Sequence, residues 1–358
     1  MPKPHDSSDG RGSRRGLITR IVRSPWTFQI VIAAVLLALA AWQVDGGDLL
    51  HAFNHAAYGW LAVALAIYFL SRAVHTIEWQ ITLTKVGRAP FLGLFGATLI
   101  GTLVNAVIPA SAGEAVKIQI VANRYGLSRT GVITGRGAES LVNALIMVMF
   151  IAISFTLPAA GVTSGSVLLL IAGGAIAAFT FAAVSSNLMP AQYPDWRVFR
   201  LLPSRLQAPI RKRWPRFHEG LELIRNPRLL LIAFILNIFG WLVDLAIIWS
   251  YGQAFQLDVS IGAYLSVTVA VAIITVFPIT FGNIGTFEFA LLHVLRLYGV
   301  SGEQALAFAV GMHLVSTVVN IGLGLIAMGL MGIRPGELLR LDSSAVKTTD
   351  EAAGIASR

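Results

Sequence analysis

Two carboxylates stand just after interruptions in apolar sequence. Glu114 follows Pro109 by five residues, and Glu288 follows Pro278 by ten. A carboxylate at membrane depth is costly unless it is paired, protonated or open to a water-filled cavity. Each Glu also falls at the predicted start of a short helix, where the dipole favours negative charge. Two kinds of role are open to both. One is capping and structural pairing. The other is contact with a cationic or hydroxylated group, or proton coupling.

Basic groups lie close by. Lys117 is one turn into the predicted half-helix and Arg136 one turn into the next span. Both could reach a lipid phosphate through charge-assisted hydrogen bonds. Arg136 could instead pair internally, with Glu114 or with Glu139, which shares its helix face at i,i+3. Asn105 and Asn283 flank the two breaks and could satisfy freed backbone groups. Gly113, Gly282 and Gly285 allow close backbone approach or positive φ. Asp244 and His313 are polar residues inside predicted spans, and Asp244 is the costlier to bury.

Other chemistries lack their residues. His75, His293 and His313 show no ligand spacing with one another, so no metal site is expected. There is no nucleotide-binding glycine loop and no serine nucleophile elbow. The chain has no cysteine, which excludes disulfides, thiolate metal sites and cysteine nucleophiles. The expectation is a protein without catalytic residues or a cofactor, and not an enzyme.

The elements that must hold these residues are membrane helices. Of 358 residues, 56% are hydrophobic and only 13% charged, against about 25% charged in soluble domains. Apolar stretches recur along the whole chain, and a crossing needs roughly 20 such residues. The net charge of +9 comes from basic residues flanking those stretches. They set orientation in the membrane and do not call for nucleic acid. Arg14, Arg15, Arg20 and Arg23 precede the first span, so residues 1–24 read as a basic cytoplasmic tail. Full crossings are predicted near 27–44, 57–76, 131–156, 166–188, 229–249 and 303–330. His75, Glu78 and Trp79 suit a helix end passing into the headgroup region. The linker 190–228 is rich in arginine and suits an amphipathic helix on anionic lipid. Residues 333–358 form a second cytoplasmic tail.

Two apolar segments do not fit a simple crossing. Residues 91–108 are Gly-rich and break at Pro109, with a semi-polar stretch at 115–123. Basic residues lie on both sides of that unit, so a re-entrant pair keeps both sides in the cytoplasm. Residues 262–277 break at Pro278 and return through 289–298. The order span, span, broken pair, span thus occurs twice, at 27–156 and at 166–330, from opposite sides. The expected fold is an all-α polytopic membrane protein, an inverted repeat with two re-entrant pairs and about six full crossings. Matching broken segments in the two halves point to a transport site near the midplane.

Three stretches carry a resemblance. GTLVNAVIPASAGEAVKIQIVANRYGLS at 101–128 supplies Asn105, Pro109, Gly113, Glu114, Lys117 and Gly126. GRGAES at 135–140 supplies Arg136, with Gly135 where a Glu is usual and Glu139 near a usual Asp. PITFGNIGTFEFALLHVLRLYGVS at 278–301 supplies Pro278, Gly282, Gly285 and Glu288, with Asn283 where a second Gly is commoner. With these motifs, about residues 20–332 resemble the lysylphosphatidylglycerol synthase transmembrane region, also described as a flippase-like domain. Hopanoid-associated membrane proteins and archaeal proteins linked to dolichol-phosphate sugars share it.

The resemblance implies movement of a phospholipid or lipid-linked headgroup between leaflets of the bacterial cytoplasmic membrane, with both termini in the cytoplasm. Its larger two-function members add a soluble aminoacyl-transferase domain, and that enzyme function is not expected in the short stretch after Arg340. Two other readings stay open: an accessory to polyprenyl-phosphate-sugar or hopanoid metabolism, and a scaffold for envelope enzymes. The implied partners are membrane lipids (phospholipid, hopanoid or polyprenyl-linked lipid), and Gly-rich spans also suit a homodimer.

Overall fold

The computed structural model describes residues 35–39, 47, 53–107, 112–156, 204–276 and 279–334. The predicted crossings at 27–44 (apart from a helical stretch at 35–39) and 166–188 lie outside the described residues. So do Pro109, Pro278, both tails beyond residue 334 and before residue 35, and the first part of the basic linker.

Four helices are long and apolar enough to cross a membrane. They are α1 (Tyr58–Thr82), α4 (Arg129–Thr156), α7 (Pro227–Ala254) and α10 (Gly302–Met331). Each covers a predicted crossing and overruns it by a few residues at one end or both. Their ends are set by ordinary capping chemistry. The Asn226 side chain accepts from the backbone N–H groups of Arg228 and Leu229, with Pro227 as the first helical residue of α7. Ser301 caps α10 by accepting from Gln304 N–H, and Gly332 closes it at φ 67°.

Two apolar helices are shorter: α2 (Phe91–Val107) with 17 residues and α8 (Ile261–Val276) with 16. At 1.5 Å per residue each spans about 25 Å, short of a hydrocarbon core about 30 Å thick. Each is followed by a returning helix, α3 (Ala112–Tyr125) and α9 (Thr286–Arg296). The contacts show that both pairs fold back as hairpins. In the first, Gly93 lies against the Tyr125 ring at the open end, and Gly101 faces Gly113 and Lys117 nearer the tip. In the second, Ser266 and Tyr298 share a 2.6 Å hydrogen bond at the open end.

The hairpins open toward opposite ends of the bundle. Beside the open end of the first lie Met331, whose carbonyl accepts from Arg124 at 2.8 Å, and Val86 against Gly131. Beside the open end of the second lie Tyr264 against Gly252, and Ala57, which donates its N–H to the Ala254 carbonyl at 2.7 Å. The tips approach in the middle: a Cβ on Gly282 would sit 3.6 Å from the Ala106 carbonyl oxygen.

Packing follows the predicted inversion. Helices α1 and α7 pack on each other; α2 packs against α10, and its counterpart α8 against α4. Exchanging the two halves reproduces these pairings. Lipid tails are as apolar as leucine, so close packing rather than hydrophobic burial must hold such helices together. Glycine supplies it. A Cβ on Gly113 would lie 2.0 Å from the Gly101 carbonyl oxygen, and one on Gly324 3.0 Å from that of Leu99.

The linker contributes α5 (Ser204–Gly220) and the short α6 (Glu222–Arg225). Helix α5 packs on α4, burying Trp214 and leaving Arg211, Lys212, Arg213 and Arg216 exposed. It lies at the end that also carries Lys85, Arg88, Arg124, Arg129 and Arg228. Among the described residues the opposite end is poorer in basic charge and includes Asp258 and Glu303.

Candidate functional site

Apart from Asp244, the sequence-predicted residues gather in two groups, one at each hairpin tip. In the first, Lys117 Nζ is 2.6 Å from Glu114 Oε1. Arg136 Nη2 is 3.5 Å from Glu114 Oε2, and the same guanidinium also pairs with Glu139. The internal pairing considered for Arg136 is therefore made with both acids. Helix α3 places Glu114 in its first turn, where four N–H groups lack helical partners and the dipole suits a carboxylate. Asn105 Oδ1 accepts the backbone N–H of Gly113 at 2.8 Å, the role expected for an Asn beside a helix break.

Trp79 connects this group to a second set on α1. Its ring is almost fully buried, with Lys117 Nζ at 5.2 Å and the Arg136 guanidinium carbon at 5.7 Å from its centroid, both within cation–π range. One residue earlier, Glu78 Oε2 lies 2.8 Å from His75 Nδ1. His75 Nε2 is 3.2 Å from Asp244 Oδ2 on α7. Ser71 donates to Asp244 Oδ1 at 2.6 Å and receives Arg72 Nη2 at 3.2 Å. On the same helix, the Tyr68 hydroxyl donates to Asn320 of α10. One polar path thus runs from α10 along α1 to the first hairpin.

Here the structure adds what the sequence reading lacked. Near the end of α1, Glu78 and Trp79 are turned into the protein and His75 is half-buried beside them. Helix α1 continues to Thr82, and Glu78 and Trp79 are 2% and 1% exposed. They are part of the centre of the network. The only sequence signal for this was the cost of Asp244, which needed a partner somewhere.

In the second group, Glu288 uses both oxygens. Oε2 accepts the Gly285 backbone N–H at 2.7 Å, and Oε1 lies 2.6 Å from His313 Nδ1 on α10. His313 Nε2 reaches the Gly282 carbonyl at 3.0 Å, and its ring packs on Phe287. The turn holding this together runs through Gly282 at φ 56°, Asn283 at φ 60° and Gly285 at φ 81°. Asn is the residue that best tolerates the left-handed region after Gly, which explains its presence between the two glycines. The Asn283 Oδ1 atom is buried without a partner. Among the described residues no cluster of three or more His, Asp or Glu has metal-binding geometry.

The two groups correspond. In each, the returning helix of a hairpin presents a Glu near its start, and the last helix of the same half supplies a basic partner. Arg136 does this for Glu114, and His313 for Glu288. Asp244 belongs to neither hairpin and joins the α1 set instead.

Comparison with known proteins places the chain among membrane proteins. The family model described as the lysylphosphatidylglycerol synthase TM region matches residues 26–324. The chain belongs to that family. A relative described as a UPF0104 membrane protein, from Methanothermobacter thermautotrophicus, is 21% identical, covering 87% of this chain and 96% of its own length. The match to the lysylphosphatidylglycerol synthase TM region takes in both hairpins and both charged groups. Its end at residue 324 falls within α10, beyond His313 and Asn320.

Proposed function

We propose that this chain moves a lipid headgroup, of a phospholipid or a lipid-linked sugar or amine, between the leaflets of the bacterial cytoplasmic membrane. The observation that carries the reading is the pair of opposed hairpins whose tips meet, each bearing a Glu and a basic partner. A headgroup crossing hydrocarbon pays a prohibitive desolvation cost unless protein supplies polar partners along the way. The network is partly open to such a guest: the Glu114 side chain is 48% exposed and that of Asp244 32%. Glu114, Lys117 and Arg136 offer both signs of charge, which suits a headgroup carrying phosphate with an amine or hydroxyl. Rocking of one half against the other would alternate access to it. The arginine-rich end faces the cytoplasm in this reading, following the positive-inside rule.

The test is reconstitution of the full chain into liposomes holding a phospholipid with a fluorescent headgroup, read with a membrane-impermeant quencher. The expected result is faster loss of the protected inner-leaflet signal than in protein-free vesicles. Equal rates with phospholipid, hopanoid and polyprenyl-phosphate probes alike would overturn the proposal.

A further inference from the structure

We propose that His75 is the proton-binding site of a proton-coupled transporter, its proton held between Glu78 and Asp244 where α1 meets α7. The coupling rests on the transport reading above, whereas the proton site rests on geometry alone.

The first argument is donor counting. A neutral imidazole has one N–H and one lone pair, and only the imidazolium has two N–H donors. Both nitrogens of His75 face carboxylate oxygens, Glu78 Oε2 and Asp244 Oδ2. Asp244 is also held by the Ser71 hydroxyl. Two acceptors around one ring require an additional proton in the triad.

The second argument is charge. Arg72, Glu78 and Asp244 lie around His75 itself, and the remaining charges of the network join through Glu78 and the Trp79 ring. Helix α1 itself gives Arg72 and Glu78, and α7 gives Asp244. Helix α4 gives Arg136 and Glu139, and α3 gives Glu114 and Lys117. Helix α6, which packs on α1, carries Glu222 and Arg225, the latter bonded to His218; their opposite charges leave the balance unchanged. Across the network Glu78, Glu114, Glu139 and Asp244 oppose Arg72, Lys117 and Arg136. One negative charge is left over, and a protonated His75 cancels it. Without that proton Glu78, 2% exposed and with its Oε1 already lacking a partner, becomes an uncompensated buried charge.

The third argument is access. The His75 and Asp244 side chains are 26% and 32% exposed, so the pair is not sealed inside the protein. The nitrogens of the second histidine also face two acceptors, Glu288 Oε1 and the Gly282 carbonyl, so it meets the same donor count and differs in access. His313 and Glu288 are 14% and 6% exposed, and His313 is fixed by the Gly282 carbonyl, which makes it a structural pin. A headgroup amine that displaces Arg136 from Glu114, or a phosphate that draws Lys117 away, changes the charge that His75 must balance. Proton binding and headgroup binding are linked in this way.

Two measurements on the full chain test this. Histidine-selective ¹⁵N spectra in nanodiscs report the ring state directly. The His75 signal is assigned by its loss in His75→Gln or, should that variant not fold, by its shift in Asp244→Asn. An imidazolium at pH 7 is expected, and a neutral ring at pH 6 overturns the proton site. In liposomes, a tenfold proton gradient should change the steady-state leaflet ratio of the transported lipid several-fold, and His75→Gln should abolish that response. Lipid movement to the same ratio with and without the gradient overturns the coupling while leaving the transport reading intact. If no lipid moves, the coupling falls together with the transport reading, and the proton site is still decided by the spectrum.

Discussion

The side chain of Asn105 closes the first helix break by accepting the backbone N–H of Gly113 at 2.8 Å. The two residues belong to opposite arms of one hairpin, and no larger residue fits in place of the glycine. A Cβ there would meet the Gly101 carbonyl oxygen at 2.0 Å and Asn105 Oδ1 at 2.6 Å. Gly113→Ala is therefore expected to cost at least about 1–3 kcal/mol, the usual range for overpacking. A thermal melt of the purified protein should show a midpoint several degrees lower. Gly137, on an exposed helix face with nothing within 4 Å of an added Cβ, is the control, and its Ala variant should be unchanged or slightly more stable. Equal melts for both variants would refute the hairpin contact.

Glu288 and His313 form the pin of the second hairpin. Removing one partner of a buried pair typically costs about 3–5 kcal/mol because the other is left uncompensated. Glu288→Gln and His313→Gln should each be strongly destabilised, and the double variant less so than their sum. A double-mutant cycle should return a coupling of about 1–3 kcal/mol. Additive effects would show that the two side chains do not interact.

The breaks themselves were legible in the sequence, because Pro, Gly and Glu coincide there and interrupt the apolar run. Arg136 with Glu139 was legible too, since helix spacing alone brings i and i+3 together. The role of His75 and Glu78 was not. Near a helix end, polar residues resemble a headgroup layer, and their partner Asp244 lies 169 positions along the chain. Nothing local announces a contact of that range. The pairing of His313 with Glu288 was hidden in a similar way, although the cost of the buried acid required some partner.

Glu114 is the most exposed acid of the first group, held by Lys117 and Arg136. If it meets the headgroup, Glu114→Gln should insert and fold like the parent yet move lipid at least tenfold more slowly in liposomes. An unchanged rate would remove this carboxylate from the path. Glu114→Asp, which keeps the charge, should recover part of the activity.

The absence of native cysteine makes cross-linking simple. A Cβ on Gly135 would lie 3.8 Å from that of Thr82, the mean separation across a disulfide. Thr82→Cys with Gly135→Cys should form a bond on mild oxidation, seen as a mobility difference after cleavage of the connection between α1 and α2 at a protease site inserted there. No bond would mean that α1 and α4 do not meet at the basic end.

Orientation is checked by reporters. One fused after Val300 should be accessible from outside the cell and one placed within 205–215 from the cytoplasm. The reverse pattern would invert the bundle without altering its internal geometry.

The exchange of partners between halves has a consequence for synthesis. Helix α2 packs against α10, near the end of the chain, and α8 packs against α4. As the nascent chain enters the membrane, the face of α2 that carries Gly96, Leu99 and Leu103 is made long before the helix that covers it. Until then it must be sheltered by lipid, by a membrane chaperone or by a neighbouring copy. Assembly therefore finishes only when the last helix arrives, and a ribosome stalled before α10 would leave an incomplete, degradable intermediate rather than a working half.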